Sequence, residues 1–168
     1  ALKPEFLETA GRYQVLGERG AQYASLLVYS ALEPQSVFTE KDLGLAVSRL
    51  PNGGLEAAAD ALVRALEGSG TQAGDYWRNR ISPFIRRMWP KSRLKATTHI
   101  AESFGRLAIA SGNAFPEARR YLEKWFAGVG HGGFLVYRLN ESGLCQDYPA
   151  DALSFLASVV TDQMVPCP

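Results

Sequence analysis

The chain has 168 residues and a mass of 18.4 kDa, long enough to bury about 69% of its unfolded surface without disulfide or metal staples. Hydrophobic residues at 46% and charged residues at 21% exclude intrinsic disorder. A net charge of +1 excludes a uniformly basic, nucleic-acid-coating surface, and no apolar run reaches the length of a membrane-spanning helix.

Taken in order, the predicted elements are helical. After Pro4, residues Phe6, Ala10, Tyr13 and Leu16 recur every three or four positions. A second helix over about Ala21–Leu32 carries Tyr23, Leu26, Leu27 and Tyr29, and stops before Glu33-Pro34. Thr39 is the expected N-cap of a helix containing Leu43, Ala46, Val47 and Leu50, with acids in its first turn. Pro51-Asn52-Gly53-Gly54 reads as a turn, followed by an alanine-rich helix over Leu55–Glu67 that ends at Gly68-Ser69-Gly70. Asp75–Trp89 is next, with Pro83 expected to kink it or to split it at Ser82. Thr98–Ser111 and Pro116–Ala127 follow, each stopped by glycine. In Phe134–Ser142 the opening Phe134-Leu135-Val136-Tyr137 also suits a strand, but Gly143 as a C-terminal cap favours helix. Pro149–Thr161 is the last helix.

About nine helices with short connections predict a single all-α domain over 1–168. Antiparallel pairs would form a bundle or an α-solenoid of the HEAT or tetratricopeptide type. One internal echo supports the solenoid. Ser111-Gly112 leads to Phe115-Pro116-Glu117, and Ser142-Gly143 leads to Tyr148-Pro149 with Asp151 beyond, so the two prolines stand 33 apart. The ends of the chain suggest a domain taken from a larger protein.

Asp75–Lys95 stands out by charge. Seven Lys/Arg against one Asp make it +6, so the other 147 residues carry −5 of the total of +1. Trp77, Ile81, Phe84, Ile85 and Met88 share one helical face, which reads as core. Arg78, Arg80, Arg86, Arg87, Lys91 and Arg93 are the candidate binding residues, for a protein partner, another domain or a nucleic acid. The competing reading pairs these cations with acids on neighbouring helices.

Catalytic signals are sparse. Gly128–Gly133, which holds His131, lacks the strand of a dinucleotide-binding loop and the Gly-Lys-Ser/Thr of a P-loop. Its His-Gly-Gly has no Gly-x-Ser-x-Gly nucleophile elbow to serve. Cys145 with His131 or His99 is the one nucleophile arrangement the residues allow, and no spacing joins them. No metal-ligand spacing occurs, so neither metal nor cofactor is expected. Cys145 and Cys167 make no disulfide framework, which points to a reducing, cytoplasmic setting without membrane contact.

Tyr76-Trp77-Arg78-Asn79-Arg80-Ile81 through Trp89-Pro90-Lys91-Ser92-Arg93, with Ile100-Ala101-Glu102-Ser103 and Glu141-Ser142-Gly143-Leu144-Cys145, resembles the α-helical C-terminal region of large multidomain bacterial proteins of the ATPase and anti-phage-defence kind. The resemblance covers about Asp75–Gln163 and includes no catalytic signature. It implies an accessory, non-catalytic interaction domain whose enzymatic parts lie elsewhere in the protein.

Overall fold

The structure, a computed structural model, describes residues 19–34, 38–91, 96–127 and 133–160. All regular elements among them are helical. The expected helix after Pro4 lies outside the described residues, as do Arg93, His131 and Cys167.

Helix α1 (Arg19–Leu32) is followed by α2 (Glu40–Arg49). Thr39 caps α2 as expected: its Oγ accepts from the Asp42 amide at 3.2 Å and donates to the Asp42 carboxylate at 2.7 Å. Helix α3 spans Asn52–Glu67. It starts three residues earlier than its sequence suggested. Pro51 takes the N-cap position, and its carbonyl accepts from Leu55 at 3.0 Å, so the turn-like Asn52-Gly53-Gly54 becomes the first helical turn. The fully buried Leu55, Ala58 and Ala59 anchor that turn, and burial outweighs the weak local propensity of glycine.

Next come α4 (Ala73–Tyr76), a π turn over Trp77–Ile81, and α5 (Ser82–Met88), wound as one rod. Pro83 therefore does not split the helix at Ser82. A proline there removes one amide donor and crowds the carbonyl four residues back. The wider turn accommodates this: the Ser82 amide donates to the Trp77 carbonyl, five residues back. Helices α6 (Thr98–Ala110), α7 (Phe115–Phe126), α8 (Gly133–Glu141), the short α9 (Leu144–Asp147) and α10 (Pro149–Val159) complete the fold. The ambiguous Phe134–Tyr137 stretch is helical.

The helices form two rows. In one, α1 packs on α3, α3 on α6, and α6 on α8. In the other, α2 packs on α5, and α7 packs on α10. The π turn and α5 meet α7 through side chains: Trp77 meets the Tyr121 ring edge-on at 6.5 Å, and Arg86 of α5 lies 4.5 Å over the same ring. Bonded pairs between α3 and the start of α6 keep a nearly constant sequence separation. Glu56–Thr97, Asp60–His99 and Glu67–Arg106 lie 41, 39 and 39 positions apart. Residue numbers rise together along the two helices, so α3 and α6 run parallel, and the intervening segment returns through the second row.

Each described crossing from the first row to the second uses the same corner. Ser69-Gly70, Ser111-Gly112 and Ser142-Gly143 all place glycine at positive φ, +56°, +57° and +75°. In each, the serine hydroxyl donates to the carbonyl three residues back, at 2.6, 2.6 and 2.7 Å. Glycine is needed because other residues pay a steric cost in the left-handed region. Two of these corners were visible as the sequence echo. The third, at Ser69-Gly70, lacks the aromatic-proline restart and was not.

The core runs between the rows. Trp77, Phe104, Phe115 and Phe155 are fully buried. Phe104 lies 5.0 Å from Trp89 and 5.2 Å from Trp125, while Phe155 touches Phe126 at 5.1 Å and Phe115 at 6.0 Å. These ring contacts bind the central and last helix pairs into one unit.

Candidate functional site

The basic segment lies on α4, the π turn and α5. Its apolar stripe is core: Trp77, Ile81, Phe84, Ile85 and Met88 are all buried. The stripe therefore fixes which way the cations can point.

They divide into two groups. Arg78 is tied down: its Nε lies 3.2 Å from Glu117 on α7, and its Nη1 3.6 Å from Asp75. Arg87 pairs with Glu40 at the start of α2. These two link neighbouring helices, and at their exposure each pair contributes about 0–1 kcal/mol. Arg86, Arg80 and Lys91 have no carboxylate partner among the described residues. Arg86 donates from Nε to Ser82 at 3.1 Å and lays its guanidinium 4.5 Å above the Tyr121 ring. Arg80 is half-exposed, and its charge offsets part of the rise that burial imposes on the Tyr76 hydroxyl pKa. Lys91 is exposed and borders a depression beside Lys124 and Trp125.

Three further residues of this surface come from α7 and were missed in the sequence. Arg120, Tyr121 and Lys124 share a face with Glu117, at helical spacing. Lys124 stands 5.0 Å from the Tyr121 ring centre and 4.1 Å from that of Trp125. Arg78, Arg86, Glu117, Arg120 and Tyr121 line one open groove between α5 and α7. The Lys91–Lys124 depression, which Glu123 also lines, draws on the next turn of α7. The sequence signal was the 117, 120, 121, 124 spacing, hidden because Glu117 and Glu123 offset most of the positive charge of Arg119, Arg120 and Lys124.

Arg119, next to these residues, is not part of the surface. It is buried, with Nε 3.2 Å from Asp151 on α10 and Nη1 3.2 Å from Glu123. It is an internal tie between α7 and α10.

Of the two histidines considered with Cys145, His131 lies outside the described residues and His99 is engaged by Asp60. His99 Nε2 lies 2.9 Å from Asp60 Oδ2, while the Ser103 hydroxyl donates to the other oxygen, Asp60 Oδ1, at 2.9 Å. Serine and histidine thus share the acid instead of bonding each other, so histidine has no route to the serine proton. Cys145 is a half-buried free thiol, and no cluster of three potential metal ligands occurs among the described residues.

The Asp60 hydrogen bond raises the His99 pKa above its ordinary 6.5; burial opposes this, and the charges of Asp60, Glu56 and Glu102 reinforce it. A raised folded pKa stabilises the fold below the unfolded value and loses that effect as pH rises through the folded value. The melting temperature of the wild type should therefore exceed that of His99→Gln by more at pH 6 than at pH 8.5. An equal difference at both pH values would show that the charged pair contributes nothing.

No family model, curated protein or solved structure matches this chain.

No helix among the described residues is long and apolar enough to cross a membrane. The chemistry the surface offers is attraction of anions. Its cations are held by an aromatic ring, a hydroxyl and the buried stripe beneath them.

Proposed function

We propose that this chain is a non-catalytic helical interaction domain, an accessory module of a larger cytoplasmic bacterial protein. It binds a protein partner, or another domain of the same protein, through the basic segment on α4 and α5. The observation that carries this reading is the charge division within that segment. Arg78 and Arg87 are used to hold helices together, while Arg86, Arg80 and Lys91 remain without carboxylate partners among the described residues. Unneutralised cations above a rigid apolar stripe form a fixed, desolvatable contact surface.

The two parallel rows and the recurring Ser-Gly corner support a helical-repeat architecture of the solenoid type, which presents extended surfaces to partners. The resemblance to helical regions of large bacterial defence proteins agrees with an accessory role.

The test is recovery of partners from cells that express the intact parent protein. Mass spectrometry would compare the wild type with a variant carrying Arg80→Glu and Arg86→Glu, both checked for helical content by circular dichroism. Partners recovered by the wild type should fall to background with the folded variant. Recovery of the same set at the same level would remove the basic segment as the contact surface.

A further inference from the structure

We propose that the groove between α5 and α7 binds an extended acidic peptide, whose carboxylates are held by Arg86, Arg120, Lys124 and Lys91. This rests on the interaction-domain reading and adds the partner's chemistry and the second wall of the site.

The site is made of two depressions, one lined by Arg86, Arg120 and Tyr121 and one by Lys91, Glu123 and Lys124, and Lys124, 5.0 Å from the Tyr121 ring centre, stands between them. Arg78 meets Glu117, Arg86 lies over Tyr121, and Lys91 borders the same depression as Lys124. Residue numbers rise together on the two walls, so the helices run side by side in the same direction. From Glu117 to Lys124 the α7 wall is about 10 Å long at ~1.5 Å per residue. Extended chain advances ~3.3 Å per residue, so about three residues fit, with alternate side chains on one face.

The charges of the groove do not cancel. Glu117 is held by Arg78, Glu123 by Arg119, and Asp151 by Arg119 at 3.2 Å, with Arg120 only at 3.6 Å. Arg120 keeps 67% of its side chain exposed. Arg86, Lys124 and Lys91 have no carboxylate among the described residues. Arg86 and Lys124 both approach one ring, at 4.5 and 5.0 Å from the Tyr121 centre. Two cations on one ring repel each other, and at an exposed site the ring offsets only part of that repulsion. A carboxylate placed between them relieves the repulsion and gains charge-assisted hydrogen bonds from both.

The same geometry favours a peptide over a nucleic acid. Single strands need open aromatic faces on which bases stack. Trp125 is only 4% exposed, and the Tyr121 ring is already occupied by Arg86 and Lys124. The groove offers hydrogen-bond donors without a stacking platform.

The experiment is fluorescence anisotropy on the full chain at low salt. The probe is a labelled hexapeptide of alternating Glu and Ser. The comparisons are its Gln-Ser counterpart and a short oligothymidylate. The Glu peptide should bind saturably and about tenfold or more tighter than either comparison. The pair Arg120→Glu and Lys124→Glu should weaken it about tenfold or more, while Arg49→Glu, the same charge change on an exposed residue of α2, should not. Absence of Glu-peptide binding, equal loss in the Arg49 variant, or tighter binding of the oligothymidylate would each overturn the proposal. If peptide binding fails while Arg80→Glu with Arg86→Glu still abolishes partner recovery, the interaction-domain reading stands and only the acidic-peptide groove falls.

Discussion

Replacing Trp77 with alanine should lower the unfolding free energy by about 3–5 kcal/mol, the range for deleting a buried large aromatic. The side chain is fully buried, starts the π turn, and is the contact by which that segment meets Tyr121 on α7. Its loss opens a cavity where the second row is joined by side chains. Urea denaturation should show a lower midpoint at an unchanged slope. The indole N–H adds a second expectation, because it is buried without a hydrogen-bond partner among the described residues. An unsatisfied buried donor costs about 1–3 kcal/mol. Trp77→Phe removes that donor along with some volume, so it should cost far less than alanine. Equal losses for the two variants would show that the donor is not unsatisfied in solution.

Asp151→Ala should destabilise by about 2–3 kcal/mol, between the values for exposed and fully buried ion pairs. Arg119 is 8% exposed, and its Nε has Asp151 as partner at 3.2 Å. Removing the acid leaves a buried guanidinium with Glu123 alone, and takes the long contact from Arg120 as well. The damage falls on the seam where α10 docks through Phe155 onto Phe115 and Phe126. Adding Arg119→Met to Asp151→Ala should recover part of the loss, because no uncompensated charge remains and the stem still packs. A double-mutant cycle with a coupling energy near zero would contradict a structural role for the pair.

Much of the helical order was legible in local chemistry. Thr39 is the N-cap that its hydroxyl and the following acids imply. Pro116 and Pro149 stand in the first turns of α7 and α10, and Gly112 and Gly143 end the preceding helices. Phe134–Tyr137 resolved as helix, in keeping with Gly143. Asn52-Gly53-Gly54 was misjudged as a turn because its residues suit one locally, whereas the buried Leu55 and its alanines draw them into α3. Of the two outcomes expected for Pro83, the split at Ser82 does not occur, and the π turn that replaces it cannot be read from residue types. It is a compromise between proline sterics and the burial of Trp77 and Ile81 on one face.

The candidate surface was only half legible. Its α5 wall stood out as a cluster of charge along the chain. Its α7 wall did not, since Arg120 and Lys124 join Arg86 and Lys91 only when two distant helices pack side by side.

By itself, then, the sequence determined the all-α class, most helix limits, the buried stripe and the place where positive charge collects. Those follow from helical periodicity, capping and composition, which act over a few residues. The tertiary structure decided which cations are spent. Arg78 and Glu117 lie 39 positions apart, and Arg87 and Glu40 lie 47 apart. Partners at such distances meet only after the two rows have formed, because side-chain electrostatics acts over a few ångströms of space and is blind to separation along the chain.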